Sequence, residues 1–498
     1  MKTKILASVV TAVVISGCAV KPEAITGDEM GAFTDANLQA IASAQEPIKG
    51  PVDMYEAMAR ALKYNLDFRV EQMNEALAMG DAELKSWDML PKAVANAGWS
   101  RRSNQPGGSS VSLLTGIQSL QPSRSSERTS LSADLTFSWN ILDFGLSYVR
   151  ARQAADKVLI ASERKRKVIN RIIEDVRSAF WRAASEQRLA SAMSRLERRV
   201  RRALANSRHL ASSGQTSPLT ALTYERELIN IKKQLHELRR ELKTAKMQLA
   251  ALMNVAPGTS FTLALPRRRP TGLRLDMNME RMISIALQNR PELREAAYKK
   301  RINEKEAKAA LLELLPGATV YTALNVDAND LLYNNNWVTW GAKASWNLMR
   351  LFRYPARQRQ VEARERLLDA QAQALTMAVM TQVYVSRARY SWQKHILDAT
   401  GQYYGVQRRI LRQVSAAAAT DAAGEQTLVR EQMNTILAAA RYDVAYAELQ
   451  NAIANVYASM GLDPYGSEAV SDMPVKALAA SLRRTWTSRN VAVSSGAS

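Results

Sequence analysis

Two stretches of alternating apolar and polar residues each end in the tripeptide Ser-Trp-Asn. Apolar residues occupy every second position from Leu131 to Trp139, and again from Val338 to Trp346. A period of two predicts a β-strand with one apolar face. Weaker alternation over residues 93–100 and 318–326 supplies a partner strand for each. The pattern therefore predicts two β-hairpins, at about 92–140 and 317–347.

Long patterns with helical spacing flank each hairpin. Residues 52–88 and 279–313 each predict a helix that ends before a Leu-Pro pair, because proline disfavours helical conformation in the residue before it. Residues 147–212 and 355–420 predict a helix of about 66 residues, roughly 100 Å long.

A turn and a further helix follow each long helix, over 218–254 and 425–460. In the first of these, leucines recur every seven residues at Leu228, Leu235, Leu242 and Leu249, which predicts left-handed coiled-coil packing. Residues 52–88 and 218–254, placed end to end, are about as long as the helix at 147–212. The lengths therefore predict a rod of antiparallel helices, with the hairpins at one end and the turns near Gly214 and Gly424 at the other.

The chain is a tandem duplication. Ser138-Trp139-Asn140 recurs as Ser345-Trp346-Asn347, and Met253 recurs as Met460, both at an offset of 207 residues. Upstream of the hairpins the offset is 225, which pairs Leu90-Pro91 with Leu315-Pro316. Each copy has the order helix, strand, strand, long helix, turn, helix.

The first residues predict an envelope lipoprotein. Residues 1–17 combine a basic start with a short apolar run, as in a secretory signal, and Ile15-Ser16-Gly17-Cys18 fits a lipobox. Cys18 is the only cysteine, and we expect it to carry the lipid. No stretch after it has 18 consecutive apolar residues, so the sequence predicts no membrane-spanning helix.

The formal net charge is +21, from 68 basic and 47 acidic residues. Residues 147–210 alone hold 17 basic and 6 acidic residues. An exported lipoprotein does not ordinarily meet nucleic acid, so lipopolysaccharide, peptidoglycan or an anionic export substrate are better candidate partners. A solvated helix face explains the same charge without any ligand.

Catalysis is disfavoured. His209, His236 and His395 all lie in helical patterns without a neighbouring nucleophile or paired ligand, and no phosphate-binding loop follows a strand. No metal site or cofactor is predicted.

The repeated plan resembles the TolC family of outer-membrane efflux and secretion ducts, in its lipoprotein branch. The resemblance rests on Asn65-Leu66-Asp67-Phe68 and residues 289–293 after the first helices, the Leu-Pro pairs, the two Ser-Trp-Asn junctions, and residues 142–145. It implies a mainly α fold with a membrane β part. In such a homotrimer, four strands per chain form a 12-stranded β-barrel, continued by a periplasmic coiled-coil tunnel.

The resemblance also implies function and partners. It implies a passive outer-membrane channel in a tripartite efflux or type I secretion system, with a periplasmic adaptor and an inner-membrane pump or ABC exporter. The turns are the expected adaptor contacts or gate, at Gly214, Thr216, Ser217, Asp421 and Gly424. Trp139 and Trp346 are expected to form an aromatic belt at the inner face of the outer membrane. The second junction lacks the glycine found in the first, and the second turn is rich in alanine.

The predicted organisation has six parts. They are a lipoprotein signal peptide (1–17), a lipid-anchored tether (18–51), the first repeat (52–257), a linker (258–278), the second repeat (279–464) and a largely disordered tail (465–498). The alternative reading is a basic coiled-coil envelope scaffold that binds peptidoglycan or another polyanion. It explains the charge and the heptads but leaves the hairpins and the lipobox unexplained.

The basic run near residue 200 generates a first prediction. If these arginines face the lumen of a duct, anionic compounds are its preferred cargo. Changing Arg198, Arg199, Arg201 and Arg202 to glutamate should then alter which compounds are exported, measured by susceptibility of cells to charged and neutral toxic compounds. An unchanged export profile would contradict a role for this run in cargo selection.

Overall fold

A computed structural model gives the architecture. The structure describes residues 22–43, 45–109, 111–112, 114–119, 121–124, 126–213, 217–256, 259–265, 277–420, 424–462 and 473–494. Cys18, Gly214, Thr216 and Asp421 lie outside the described residues, as does most of the predicted linker. The chain divides into two units, Met1–Lys49 and Gly50–Ser498.

The first unit contains helix α1 (Gly27–Ser43), which lies within the predicted lipid-anchored tether. A capping box of Thr26 and Glu29 begins this helix. The backbone N–H of Thr26 donates to the Glu29 carboxylate at 2.8 Å, and the backbone N–H of Glu29 donates to the Thr26 hydroxyl at 3.3 Å. Both bonds satisfy N–H groups that a helix start leaves without partners.

The second unit contains the two repeats. Its elements are α2 (Met54–Tyr64), α3 (Leu66–Trp87), β1 (Lys92–Arg101), β2 (Thr129–Asn140), α4 (Ile141–Ser212), α5 (Pro218–Leu252), α6 (Met279–Asn289), α7 (Pro291–Leu312), β3 (Gly317–Asp327), β4 (Asn336–Ser345), α8 (Met349–Ala419), α9 (Glu425–Ser459) and α10 (Val475–Ser494). The fold is mainly α with a small antiparallel sheet.

The strands and helices keep one lateral order. The sheet is antiparallel in the order β1-β2-β3-β4. Next to it, α4 packs between α3 and α7, and α7 packs against α8. Farther from the sheet, α4 packs between α5 and α9, and α9 packs against α8. Among the described residues, no helix is both long and apolar enough to cross a lipid bilayer.

The short helices stack end to end beside the long ones, as their lengths predicted. The Asn65 side chain at the start of α3 donates to the carbonyl of Leu252 at the end of α5, at 3.4 Å. In the second repeat, Arg290 at the start of α7 donates to the carbonyl of Ala458 at the end of α9, at 2.9 Å.

The two predicted helices before the hairpins are each broken once. Asn65 and Arg290 have extended backbone, with ψ of 128°, and each separates an 11-residue helix from a 22-residue helix. Asn65 caps the second helix by accepting from the backbone N–H of Phe68 at 3.2 Å. Arg290 precedes Pro291, which disfavours helical backbone in its predecessor. The unbroken helices over 52–88 and 279–313 were therefore wrong predictions.

The repeat extends to the ends of the helices. Asn254 after α5 and Gly461 after α9 are 207 residues apart, and both have left-handed backbone, with φ of 55° and 71°. Val255 N–H donates to the Ala250 carbonyl at 2.8 Å, and Leu462 N–H donates to the Tyr457 carbonyl at 3.1 Å. These are the bonds of a Schellman cap. Any Cβ at Gly461 would lie 2.6 Å from the carbonyl carbon of Asn289, so the stack requires glycine there.

The leucine heptads form the predicted coiled-coil seam. Leu228, Leu235, Leu242 and Leu249 are at most 1% exposed. The first three pack in one core with α4 and α9. The four leucines correspond to Thr435, Tyr442, Leu449 and Val456 of α9. The other positions of the seam, Ile231, Leu238 and Ala245, correspond to the buried Ala438, Ala445 and Ala452.

The C-terminal region corrects another prediction. The expected disordered tail contains α10, which packs against α2 and buries Leu478 and Leu482. Trp486 of α10 stacks on the guanidinium of Arg177 at 4.0 Å from the ring centroid. Burial lowers the pKa of Arg177 to about 10. Leu478 to Trp486 had the spacing of an amphipathic helix, but the composition of the following residues favoured disorder.

The seam generates a prediction. Leu242→Ala should destabilise the helical layer by about 2–5 kcal/mol, because it leaves a cavity in a well-packed core. Thermal unfolding followed by circular dichroism measures the effect. Lys232→Ala, an exposed position on the same helix, is the control, with an expected change within about 0.5 kcal/mol. Equal effects of the two substitutions would show that Leu242 does not lie in the core.

Candidate functional site

The four-stranded sheet has one predominantly apolar face. The strand register makes two rows of cross-strand neighbours on this face. One row holds Ala95, Leu135, Leu324 and Val338, and the next holds Ala93, Phe137, Thr322 and Trp340. Many of these side chains are strongly exposed, with Trp340 at 83%. An exposed apolar face of this kind marks a surface that meets lipid or another protein.

The opposite face of the sheet is mostly polar. Asp134 accepts hydrogen bonds from Asn96 at 3.1 Å and from Thr136 at 2.7 Å. Asn325 donates to Thr339 at 3.0 Å. The Asn96–Asp134 and Asn325–Thr339 bonds cross between neighbouring strands, whereas Thr136 and Asp134 both lie on β2. The polar face therefore carries hydrogen-bonding side chains that can border water.

One close approach on the polar face involves a glycine. The ring of Tyr321 lies over Gly341 on the neighbouring strand, and a Cβ at Gly341 would lie 2.8 Å from the tyrosine hydroxyl oxygen. Tyr321 therefore lies flat across the sheet, which limits how far it projects from the polar face.

Strand length and edges define what the sheet can do. The strands have 10, 12, 11 and 10 residues, close to the 9–11 that a tilted strand needs to cross a bilayer. In the described part of the chain, the outer edges of β1 and β4 pair with no further strand. Lipid does not tolerate an open sheet edge, so strands of other chains must complete a spanning structure.

Trp139 and Trp346 connect the sheet to the helices. The indole N–H of Trp139 donates to the carbonyl of Met89 at 3.2 Å, and that of Trp346 donates to the carbonyl of Leu314 at 2.9 Å. The two carbonyls are repeat equivalents in the turns before β1 and β3. The rings remain 39% and 53% exposed. Each tryptophan therefore satisfies its polar N–H within the protein and leaves its ring available to lipid.

The asparagine side chains of the two junctions accept hydrogen bonds from the first turns of the long helices. The Asn140 side chain accepts from the backbone N–H groups of Leu142 at 3.1 Å and Asp143 at 3.0 Å. The Asn347 side chain accepts from the backbone N–H of Met349 at 3.1 Å. At the first junction, adjacent residues thus end a strand and start a helix. At the second junction, β4 ends at Ser345 and Asn347 precedes the N-cap residue Leu348.

Charge pairs fix α4, α7 and α8 beneath the sheet. Glu306 accepts from Arg150 at 2.6 Å and Gln153 at 2.9 Å, and also pairs with Arg357. Burial raises the pKa of Glu306, but the Gln153 hydrogen bond and the guanidinium groups of Arg150 and Arg357 outweigh it, so that the pKa is lowered overall. Glu306 therefore stays ionised as the common acceptor of the three elements.

At the far end of the layer, two of the five predicted turn residues can be described. Ser217 precedes α5 and its side chain makes no capping bond, and Gly424 precedes α9. The structure adds a contact that the sequence did not reveal. Gln426 of α9 donates to Glu227 of α5 at 2.6 Å, and Arg430 approaches the same carboxylate at 3.5 Å. Glu227 thus connects the two helical tips.

The basic run on α4 borders a groove. Arg195, Arg198, Arg199 and Arg202 line a cavity of about 550 Å³ together with residues of α8 and α9. Arg201 lies outside it and is 78% exposed, with a weak pairing to Glu197 at 3.5 Å. The predicted run is therefore divided between a groove and open surface. No group of three or more potential metal ligands occurs in the described part of the chain.

Comparison with known proteins gives a consistent picture. The profile of the outer membrane efflux protein family matches residues 57–255. The Campylobacter jejuni CmeC outer membrane channel is 13% identical, with a TM-score of 0.67, over 93% of this chain and 93% of that chain. The open state of the Neisseria gonorrhoeae MtrE outer membrane channel is 16% identical, with a TM-score of 0.59, over 82% and 89%.

The Vibrio cholerae outer membrane protein VceC is 12% identical, with a TM-score of 0.60, over 82% of this chain and 96% of that chain. At such identities these structures show a shared fold. A comparison with curated protein sequences finds no match.

The junction generates a prediction. Trp139→Asp with Trp346→Asp should reduce stable membrane insertion, because charge replaces two rings on the apolar face. Trp139→Phe with Trp346→Phe keeps the rings and removes two N–H donors, so insertion should persist with a loss of about 0.5–1.5 kcal/mol per bond. Membrane fractionation and heat resistance in detergent measure the two effects. Normal insertion of the aspartate variant would contradict this placement of the tryptophans.

Proposed function

We propose that the chain is a member of the outer membrane efflux protein family, whose profile matches residues 57–255, and that it is the outer-membrane channel of a tripartite efflux or type I secretion system. The observation that carries the proposal is the sheet, whose apolar and polar faces suit lipid and a water-filled lumen. The channel is a passive duct and not an enzyme.

A homotrimer satisfies the open edges. Three copies of a four-stranded sheet supply twelve strands, in which β4 of one copy pairs with β1 of the next. Closure removes every edge, which a spanning sheet requires. The helices next to the sheet follow the order α3-α4-α7-α8, which matches the strand order β1-β2-β3-β4. Closure of the barrel therefore also closes these helices into a tunnel.

The exposed surfaces of the edge helices support this closure. The 35-residue helix α9 lies between two long helices and has 18 buried residues, whereas the equally long α5 lies at an edge and has 7. On α8, Trp392, Ile396 and Tyr403 are 68%, 45% and 52% exposed. Their equivalents on α4 are Ser185, Leu189 and Leu196, all buried. The edge of α8 therefore fits α5 of a neighbouring copy.

The remaining parts of the proposal follow from the organisation of the chain. Cys18 carries a lipid that anchors the N-terminus in the outer membrane, and Trp139 and Trp346 lie at its inner surface. The helical tips, with Ser217, Gly424 and the Glu227 contact, meet a periplasmic adaptor, and an inner-membrane pump or ABC exporter supplies the energy. The basic coiled-coil scaffold is disfavoured because it leaves the apolar face of the sheet exposed to water.

Purification and conductance test the proposal. A channel should be extractable only with detergent, remain trimeric, and conduct ions in planar bilayers. A rod that is soluble without detergent and does not conduct would support the scaffold instead.

Two neighbouring residues of β2 provide a matched pair for the lumen. Asp134 lies on the polar face and Leu135 on the apolar face. Asp134→Arg should leave insertion intact and shift ion selectivity towards anions, because it changes the charge of the lumen. Leu135→Arg should impair insertion, at a cost of about 2–4 kcal/mol near the bilayer midplane. Reversal potentials measure selectivity, and membrane fractionation measures insertion. If Asp134→Arg impaired insertion and Leu135→Arg changed only selectivity, the proposed lipid and lumen faces would be the wrong way round.

A further inference from the structure

The tandem repeat specifies contacts between copies as well as within one. Inside the chain, α4 of the first repeat packs on α9 of the second, with Leu189, Leu196 and Ala203 against Val429 and Ile436. In the trimer proposed above, the same packing recurs between α8 of one copy and α5 of the next. Adding 207 to a position on α4, and subtracting 207 from a position on α9, gives the equivalent pair.

One level of this seam is polar within the chain. Asp443 of α9 is 3% exposed and accepts from the Ser185 hydroxyl at 3.0 Å and from Arg188 at 2.9 Å. The equivalent of Asp443 is His236 on α5, and the equivalents of Ser185 and Arg188 are Trp392 and His395 on α8. An attractive carboxylate–guanidinium pair inside each chain thus corresponds to two histidines between chains.

Resting on the trimer proposed above, we propose that His236 of each copy faces His395 and Trp392 of the next, and that this contact weakens when the surroundings become acidic. Three such contacts alternate around the tunnel with three Arg188–Asp443 pairs. Histidine is the side chain that ordinarily gains a proton between about pH 8 and pH 5. Two facing imidazolium groups repel, whereas the Arg188–Asp443 pair joins opposite charges.

The charges around the two histidines favour repulsion. On α5, the exposed Lys232, Lys233 and Arg240 lie within a turn or so of His236, and Lys394 adjoins His395 on α8. The acidic groups nearby already have partners. On α4, Glu197 accepts from Arg239 at 2.7 Å.

Three other nearby carboxylates also have a hydrogen-bond or ion-pair partner. Asp398 on α8 accepts from Gln402 at 2.9 Å, and Glu237 on α5 lies 3.9 Å from Lys233. On α9, which packs on α8, Glu448 pairs with Arg389 at 2.8 Å, and Arg441 is exposed. Glu197 also acts electrostatically on His236 within one chain, and Glu237 and Glu241 of α5 line a groove with Ile396 of α8. At the position equivalent to Asp443 itself, however, α5 carries His236 and not a carboxylate.

Disulfide trapping tests the position. His236→Cys with His395→Cys in the same chain should form covalent dimers and trimers on oxidation, while each single variant should not. Leu222→Cys with Ile410→Cys, the equivalents of Val429 and Ala203, reports on the seam elsewhere. If the second pair links copies and the first does not, the histidine placement is wrong while the trimer stands. If neither pair links and no trimer is isolated, the proposed assembly fails as well.

Dissociation kinetics test the chemistry. The detergent-extracted trimer should dissociate about tenfold or more faster on heating at about pH 5.5 than at about pH 8. His236→Asp with His395→Arg copies the pairing found within the chain and should abolish this difference. His209→Gln, which changes the third histidine at an exposed site on α4, should retain it. A pH effect that is missing in the native protein, persists in the double variant, or is lost in His209→Gln would overturn the proposal.

Discussion

The backbone N–H and C=O groups along the outer edges of β1 and β4 are the constraint on which the architecture depends. Water can satisfy such groups in a soluble sheet, but hydrocarbon cannot. A sheet with an apolar face of membrane-spanning length therefore needs further strands beyond the four described in this chain. In the homotrimer proposed above, three copies supply twelve strands, and closure leaves no open edge. The helices of the trimer then continue in the same circular order as the strands.

The Trp-Asn pairs convert the order of the strands into the order of the helices. Each tryptophan bonds to the turn before its hairpin, and each asparagine side chain accepts from a backbone N–H at the start of the helix that follows. Strand and helix adjoin at the first junction and are three residues apart at the second. In the proposed trimer, closure of the barrel sets the positions of α4 and α8, because these helices follow β2 and β4 in the chain. The coiled-coil seams then align α5 and α9 beside them.

Much of this plan is readable from the sequence because it depends on periodicity. Period two identified the strands and their faces, the seven-residue spacing identified the α5 seam, and the offset of 207 identified equivalent positions. The breaks at Asn65 and Arg290 were missed because helical spacing of apolar residues continues on both sides of them. Helices α1 and α10 lie in segments whose composition does not favour helix, and only a capping box and a short amphipathic stretch indicate them.

The site itself was only partly predictable. Trp139 and Trp346 were recognisable as ring-bearing ends of apolar strands, but their bonds to Met89 and Leu314 join residues that are 50 and 32 positions apart. The Glu227 contact with Gln426 likewise spans 199 positions. Such contacts require three-dimensional geometry. The same is true of the edges, because only the packed structure shows which apolar residues of α8 remain uncovered.

Electron cryomicroscopy of the detergent-extracted protein tests the central claim most directly. The account predicts three copies around one axis, a closed twelve-stranded barrel in which β4 of each copy pairs with β1 of the next, and α8 packed on the neighbouring α5. A different copy number, or particles in which β1 and β4 remain unpaired, would contradict it.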